Sequence, residues 1–156
     1  MAARKGGEEG HFGMHHQGGM FGHGCYYVTH GRQMRNGLMV VSFALSDAPA
    51  GAGGFCCVPG SHKALYDIPP AFRAAEDNPM ARHVPMKAGD VLIFTEALTH
   101  GTMGWTAPHE RRQVLLKYCP HYMQWSNGTM DASMDGLTDR QQLILEGPHV
   151  WERESV

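Results

Sequence analysis

The stretch GDVLIFTEALTHG, Gly89 to Gly101, decides how the rest of the chain is read. It opens on a Gly-Asp turn pair, runs through the apolar residues Val91, Leu92, Ile93 and Phe94, and closes on Glu96 and His100. A short apolar run bounded by turn residues reads as a buried strand. At its far end this strand presents a carboxylate and an imidazole. Imidazole suits iron, zinc or copper, although a lone histidine at a strand end is more often a surface or satisfied core residue. Eleven and twelve residues after His100 stand Arg111 and Arg112, opening a second apolar run, RRQVLLKY. A guanidinium on an apolar strand is costly without an anion, and its planar fork of donors matches a carboxylate. An ion pair within the protein is the plain alternative. Neighbours on a strand point to opposite faces, so one arginine faces in and the other out.

The chain of 156 residues is long enough to bury a core as one domain. Apolar content of 42% with 18% charged residues excludes a disordered tail. A formal net charge of −2 gives no footing for nucleic acid or an anionic membrane as partner. No apolar run has the length of a membrane span, and MAARKGGEEGHFG lacks the apolar centre of a secretory signal, so the cytoplasm is the expected location. Cys25, Cys56, Cys57 and Cys119 have neither zinc-knuckle nor redox spacing and read as small hydrophobes. His11, His15, His16, His23 and His30 crowd the first thirty residues; a His-rich tract can bind metal through composition alone, so position must decide among them.

Three segments follow from composition. Residues 1–36 form a Gly- and His-rich ligand loop, with a short strand expected at CYYVT; residues 37–125 form the core; residues 126–156 form a tail with a helix. LMVVSFALS (38–46) has the β-branched, apolar character of a central strand. FCCV (55–58), VLIF (91–94) and RQVLLKY (112–118) supply further strands, while 61–82 is too broken by proline for one long helix and reads as a surface excursion. Thr138 and Gln141 predict a capping box for a closing helix over residues 139–146, stopped by Gly147-Pro148. Short strands between Gly/Pro turns with one late helix predict an antiparallel sandwich or barrel. There is no repeat, and GAGG follows a strand without opening a helix, which excludes a nucleotide-binding fold.

GGFCCVPGSHK (53–63), GDVLIF (89–94) and HGTMGW with RR and LLKY (100–118) together resemble the phytanoyl-CoA dioxygenase family of iron(II)/2-oxoglutarate oxygenases. The resemblance runs from about Arg35 to Tyr118, and TDRQQLILEGPHV looks like the tail of bacterial members. It implies a mainly β chain folded as a double-stranded β-helix, the cupin-like jelly roll. It also implies iron held by a His-x-Asp/Glu pair plus a distal histidine, and 2-oxoglutarate as co-substrate with dioxygen. On this resemblance His100 matches the distal ligand and Arg111 the arginine that grips the far carboxylate of 2-oxoglutarate, with Arg112 its outward neighbour. Thr102 falls where the family often has a small hydroxyl residue. The PGSHK segment, His62 and Lys63 included, is expected to shape a loop.

One element of the family pattern is missing. No His-x-Asp or His-x-Glu precedes the LMVVSFAL strand; MHHQGGMFGHG (14–24) stands there instead. His16-Gln17-Gly18 then reads as His-x-Gly, with His15 and His23 as alternatives, His16 being favoured by the Gly18-Gly19 that follows. Three accounts are open. Glu96 supplies the carboxylate, although a solvated loop carboxylate is its plainer role; or the vacant position takes chloride, as in related iron halogenases; or metal binding is lost and the chain is a non-catalytic jelly roll binding a carboxylate. Family members also carry a longer N-terminal segment with helices over one sheet. The roll is therefore expected to be short of its cover, with dimerisation as one consequence. The favoured expectation is an oxygenase acting on an aliphatic C–H of a small-molecule substrate, with His16, His100 and Glu96 at iron(II). Trp105, Met103 and Phe94 are candidates to line the pocket, with core packing the plainer role for Phe94.

Overall fold

A computed structural model describes residues 2–3, 12–15, 24–64, 66–124, 128 and 130–150. The chain divides into two compact units, Met1–Tyr118 and Cys119–Val156.

In the first unit the described residues form ten strands: β1 (Ala2–Ala3), β2 (Phe12–His15), β3 (Tyr27–His30), β4 (Gln33–Asn36), β5 (Met39–Ala44), β6 (Gly54–Cys57), β7 (Arg82–His83), β8 (Val91–Thr95), β9 (His100–Met103) and β10 (Arg111–Tyr118). β3 and β4 make a hairpin of their own. The other eight make two antiparallel four-stranded sheets, ordered β1-β10-β5-β8 and β2-β9-β6-β7. Apart from the β6–β7 pair, which stays within one sheet, successive strands of the two sheets cross from one to the other as in a jelly roll, and the expected double-stranded β-helix is the fold found. LMVVSFALS is the central strand expected: β5 pairs with β10 on one side and β8 on the other.

Alternation along β5 sets the two faces of the first sheet. Val40, Ser42 and Ala44 are buried, whereas Phe43 between them is exposed. On the inner side Val40 and Phe94 meet Phe55 of the second sheet, with the Phe55 and Phe94 rings 4.7 Å apart. On the outer side Phe43 lies opposite Val91 and Val114, and Ile93 and Leu116 lie opposite Val41. Val91, Ile93, Val114 and Leu116 are all exposed, forming an apolar strip across three strands.

The excursion over 61–82 does more than cover surface. It contains two short 3-10 turns, Ser61–Lys63 and Pro70–Phe72. It also brings Ala75 against Met14 and Cys56 on the outer side of the second sheet. Cys25 and Cys56 are fully buried, as expected of small hydrophobes. A third cluster gathers Ala44, Ala48, Ala52, Met86 and Trp105.

In the second unit the helix α1 runs over Asp139–Leu145 with the predicted capping box intact: Thr138 Oγ1 accepts from the Gln141 backbone N–H, and Gln141 Oε1 accepts from that of Thr138. Among the described residues no helix is long and apolar enough to cross a membrane.

Candidate metal centre

The link between β8 and β9 carries two of the predicted site residues. β8 belongs to one sheet and β9 to the other, so residues 96–99 cross between sheets at one end of the roll. Glu96 is the first residue of the crossing and His100 the first of β9. The crossing is pinned at several points. The Glu96 N–H donates to Leu38 O at 3.0 Å, and the Leu98 N–H to Thr95 O at 3.0 Å. The Thr99 N–H donates to Ser61 Oγ at 2.8 Å, and Thr99 O accepts from the Val58 N–H. The PGSHK segment thus fixes the residue just before His100, which gives substance to its expected role as a loop former.

Glu96 is 2% exposed. The solvated role allowed for it at the sequence level is therefore corrected: following Phe94 by two positions, it lies on the strand's inward side. Its Oε1 accepts from Lys117 Nζ at 2.7 Å. Its Oε2 is buried without a hydrogen-bond partner and lies 3.8 Å from His100 Nε2. That spacing is too long for a hydrogen bond and suits two atoms facing a common third.

His100 is itself buried, with Phe94 edge-on at 4.7 Å. Its Nδ1 is 2.6 Å from Leu98 O, which favours a proton on Nδ1 and leaves the Nε2 lone pair free. Burial, reinforced by the neighbouring His15, pushes its pKa down to about 4, so the ring is neutral at neutral pH. Neutral imidazole is the form that ligates.

Opposite His100, across the β2–β9 pairing, stands His15. The two ring centres are 4.2 Å apart, and His15 Nδ1 is 3.2 Å from Gly13 O. Ligand atoms of His15, Glu96 and His100 all lie within 4.8 Å of one another. The favoured sequence candidate, His16, lies outside the described residues; the histidine that the fold sets against His100 is the alternative, His15. Two imidazoles and an unsatisfied carboxylate oxygen form the donor set that suits a non-haem iron(II) ion.

Of the arginine pair, Arg111 faces in and Arg112 faces out. Arg111 is 3% exposed, and its Nε and Nη2 are buried with no partner, while Nη1 reaches Gln113 Oε1 only at 3.5 Å. Burial lowers its pKa. The Gly54 backbone, at φ 98°, lies under the guanidinium, and a Cβ there would meet Arg111 Cδ and Nη1 at 3.4 Å. Arg112 is instead solvent-exposed and ion-paired with Glu110 at 2.6 Å. Nothing in that setting asks for a ligand. Thr102 is buried in β9, paired with Phe12 and Phe55.

Two expected pocket residues belong elsewhere. Trp105 is in the separate Ala44/Ala48/Ala52/Met86 cluster with its Nε1–H donating to His109 O at 2.6 Å, and Met103 packs on the outer side of the second sheet. Phe94 remains, as the wall beneath His100. Lys117 is not among the residues expected at the site, although alternation along the strand puts 111, 113, 115 and 117 on one face.

Comparison with known proteins bears on this geometry. The phytanoyl-CoA dioxygenase family model matches residues 3–113. HygX from Streptomyces hygroscopicus, solved with nickel, 2-oxoglutarate and hygromycin B bound, is 27% identical over 62% of this chain and 41% of its own, with a TM-score of 0.56. With nickel and 2-oxoglutarate bound, HygX superposes with a TM-score of 0.64 at 21% identity, over 77% of this chain and 55% of that one. SnoK, a non-heme alpha ketoglutarate dependent carbocyclase from nogalamycin biosynthesis, gives 0.55 at 19% identity, over 97% of this chain and 56% of its own. Those two likenesses speak to the fold. This chain thus spans roughly half the length of the solved proteins it matches. No curated protein matches it. The matched residues run from β1 through the crossing turn and His100 to the arginine pair, and on that match the chain belongs to the phytanoyl-CoA dioxygenase family.

Proposed function

We propose that the protein is an iron(II)- and 2-oxoglutarate-dependent oxygenase acting on an aliphatic C–H of a small molecule, with His15, Glu96 and His100 as the metal ligands. The observation that carries this reading is the pair of unmet demands at the site: a buried carboxylate oxygen of Glu96 beside two imidazoles, and a buried Arg111 with two unused donors. A cation answers the first and a carboxylate the second. Family membership supports the same two groups, since HygX has been solved with 2-oxoglutarate and a metal bound.

Iron(II), 2-oxoglutarate and dioxygen together supply the oxidising power to replace hydrogen by hydroxyl on an unactivated carbon. The chain supplies placement. Leu98 O and Gly13 O orient the two imidazoles, Arg111 orients the co-substrate through its far carboxylate, and Phe94 and Phe55 keep the inner wall apolar. Thr102 is a candidate to assist Arg111, as the resemblance implies. The halogenase alternative requires a centre without a protein carboxylate, and a buried Glu96 beside both histidines weighs against it.

The test is an anaerobic titration with iron(II) and 2-oxoglutarate, read by the weak visible charge-transfer band of the chelate. The reading requires the band in wild type, its loss in His100→Ala and Glu96→Ala, and its weakening in Arg111→Ala. A band indifferent to Glu96→Ala but altered by chloride favours halogenation. No band in folded protein leaves a non-catalytic jelly roll.

A further inference from the structure

We propose that Lys117 is a positioning residue that keeps Glu96 a one-oxygen ligand; the proposal rests on the reading of Glu96 as a metal ligand. Lys117 stands on β10 opposite Val40, which in turn pairs with Phe94 of β8. Its side chain therefore emerges on the inward side, beside the crossing turn. Its ammonium is 2.7 Å from Glu96 Oε1, a charge-assisted hydrogen bond. The other oxygen, Oε2, has no hydrogen-bond partner and is the one near His100 Nε2. The two carboxylate oxygens are thus divided between two tasks.

That division matters because of the number of positions around the ion. A six-coordinate centre with two imidazoles and one carboxylate oxygen keeps about three positions open, the arrangement typical of 2-His-1-carboxylate sites. A carboxylate binding through both oxygens would close one of them. A chelating co-substrate and a small third ligand together need all three. With Oε1 engaged by Lys117, Glu96 turns a single oxygen to the ion. Among the described residues Lys117 is the one lysine or arginine paired with Glu96, and Arg111 lies six residues away along the same strand, about 20 Å of extended chain.

The decisive probe is manganese(II) alone, whose bound waters are counted by the relaxation of solvent protons. Wild type and Lys117→Arg should carry about three waters on the bound ion, and Lys117→Met about two, lowering the relaxation enhancement by about one third. A role of Lys117 in folding alone would leave that number unchanged. Equal enhancement in Lys117→Met and wild type overturns the proposal while leaving the metal site intact. Loss of manganese binding by folded Lys117→Met overturns it too, since the ammonium would then be holding the carboxylate within reach rather than limiting its contacts. If wild type and His100→Ala titrate identically, the metal reading itself fails, and that result needs no Lys117 variant.

Discussion

The two ends of β10 carry the same charge toward the same inward face and treat it differently. At one end Lys117 is 40% exposed and already paired with a carboxylate of the chain, Glu96. At the other Arg111 is 3% exposed and holds two donors against nothing. A cation that stays partly in water can share its charge with solvent and with an internal partner. A cation stripped of water and left unpaired is a standing debt in the folded chain, and folds retain such groups where a ligand meets the demand. On the function proposed above, the contrast separates a cation that would tune the protein's own carboxylate from one that would take a carboxylate from outside.

The largest break of this contrast is Arg111→Leu. Affinity for 2-oxoglutarate should fall about 100-fold, in the range expected when one partner of a buried charged pair is removed. Thermal stability of the ligand-free protein should hold or rise, because an unpaired buried charge has gone. Isothermal titration and a melting curve on the same preparation check both halves. A fall in stability with affinity unchanged would mean that Arg111 is structural.

Acid should act on the buried imidazole of His100. Folding holds His100 neutral down to about 4 against an ordinary 6.5. In that window the unfolded chain takes up a proton that the folded chain refuses, so stability falls as pH drops from 6.5 toward 4. The loss in ligand-free protein should be roughly 2 kcal/mol near pH 4.5, measured by urea denaturation across pH, and His100→Gln should flatten the profile.

A smaller effect is expected from Gly54→Ala. Its positive φ makes the substitution strained by about 1 kcal/mol, while a Cβ 3.4 Å from Arg111 is in ordinary contact with it. Affinity for 2-oxoglutarate should therefore stay close to wild type. A clear loss of affinity would show that the Gly54 backbone sets the arginine's position. Smallest of all is Arg112→Ala, which removes only an exposed ion pair with Glu110. It should change stability by less than about 1 kcal/mol and leave 2-oxoglutarate affinity alone.

What the sequence could and could not convey follows from strand geometry. The apolar runs at 38–46, 91–94 and 112–118 announced their strands, and Thr138 with Gln141 announced the helix start, because those signals are local. Glu96 and His100 stood out as polar residues at the end of an apolar run. The doublets were harder. In His15-His16 and Arg111-Arg112 alternation says that neighbours face opposite ways, but which faces inward depends on partner strands far away in the chain. For the arginines the β10–β5 register decides it; for the histidines the β2–β9 register sets His15 opposite His100. Lys117 is not legible in the sequence because its partner, Glu96, comes from the β8–β9 crossing and only the assembled sheet brings them together. Trp105 and Met103 depart from the expected pocket for the converse reason: nearness to His100 in sequence says nothing of which cluster a side chain joins.

The crossing turn from Glu96 to His100 works as a length standard. Only Ala97, Leu98 and Thr99 separate the carboxylate from the imidazole, with the backbone fastened to Leu38 at one end and to Val58 and Ser61 at the other. One added or deleted residue would reverse the face that His100 presents, because β9 alternates with a period of two. Within the 61–82 excursion the exposed residues Tyr66 and Asp67 carry no such parity constraint, whereas Ser61, Arg73 and Ala75 are tied to the turn and to β2. A library of single-codon insertions should show that divide as a sharp gap in tolerance, with insertions accepted at Tyr66 and Asp67 and rejected between Glu96 and His100.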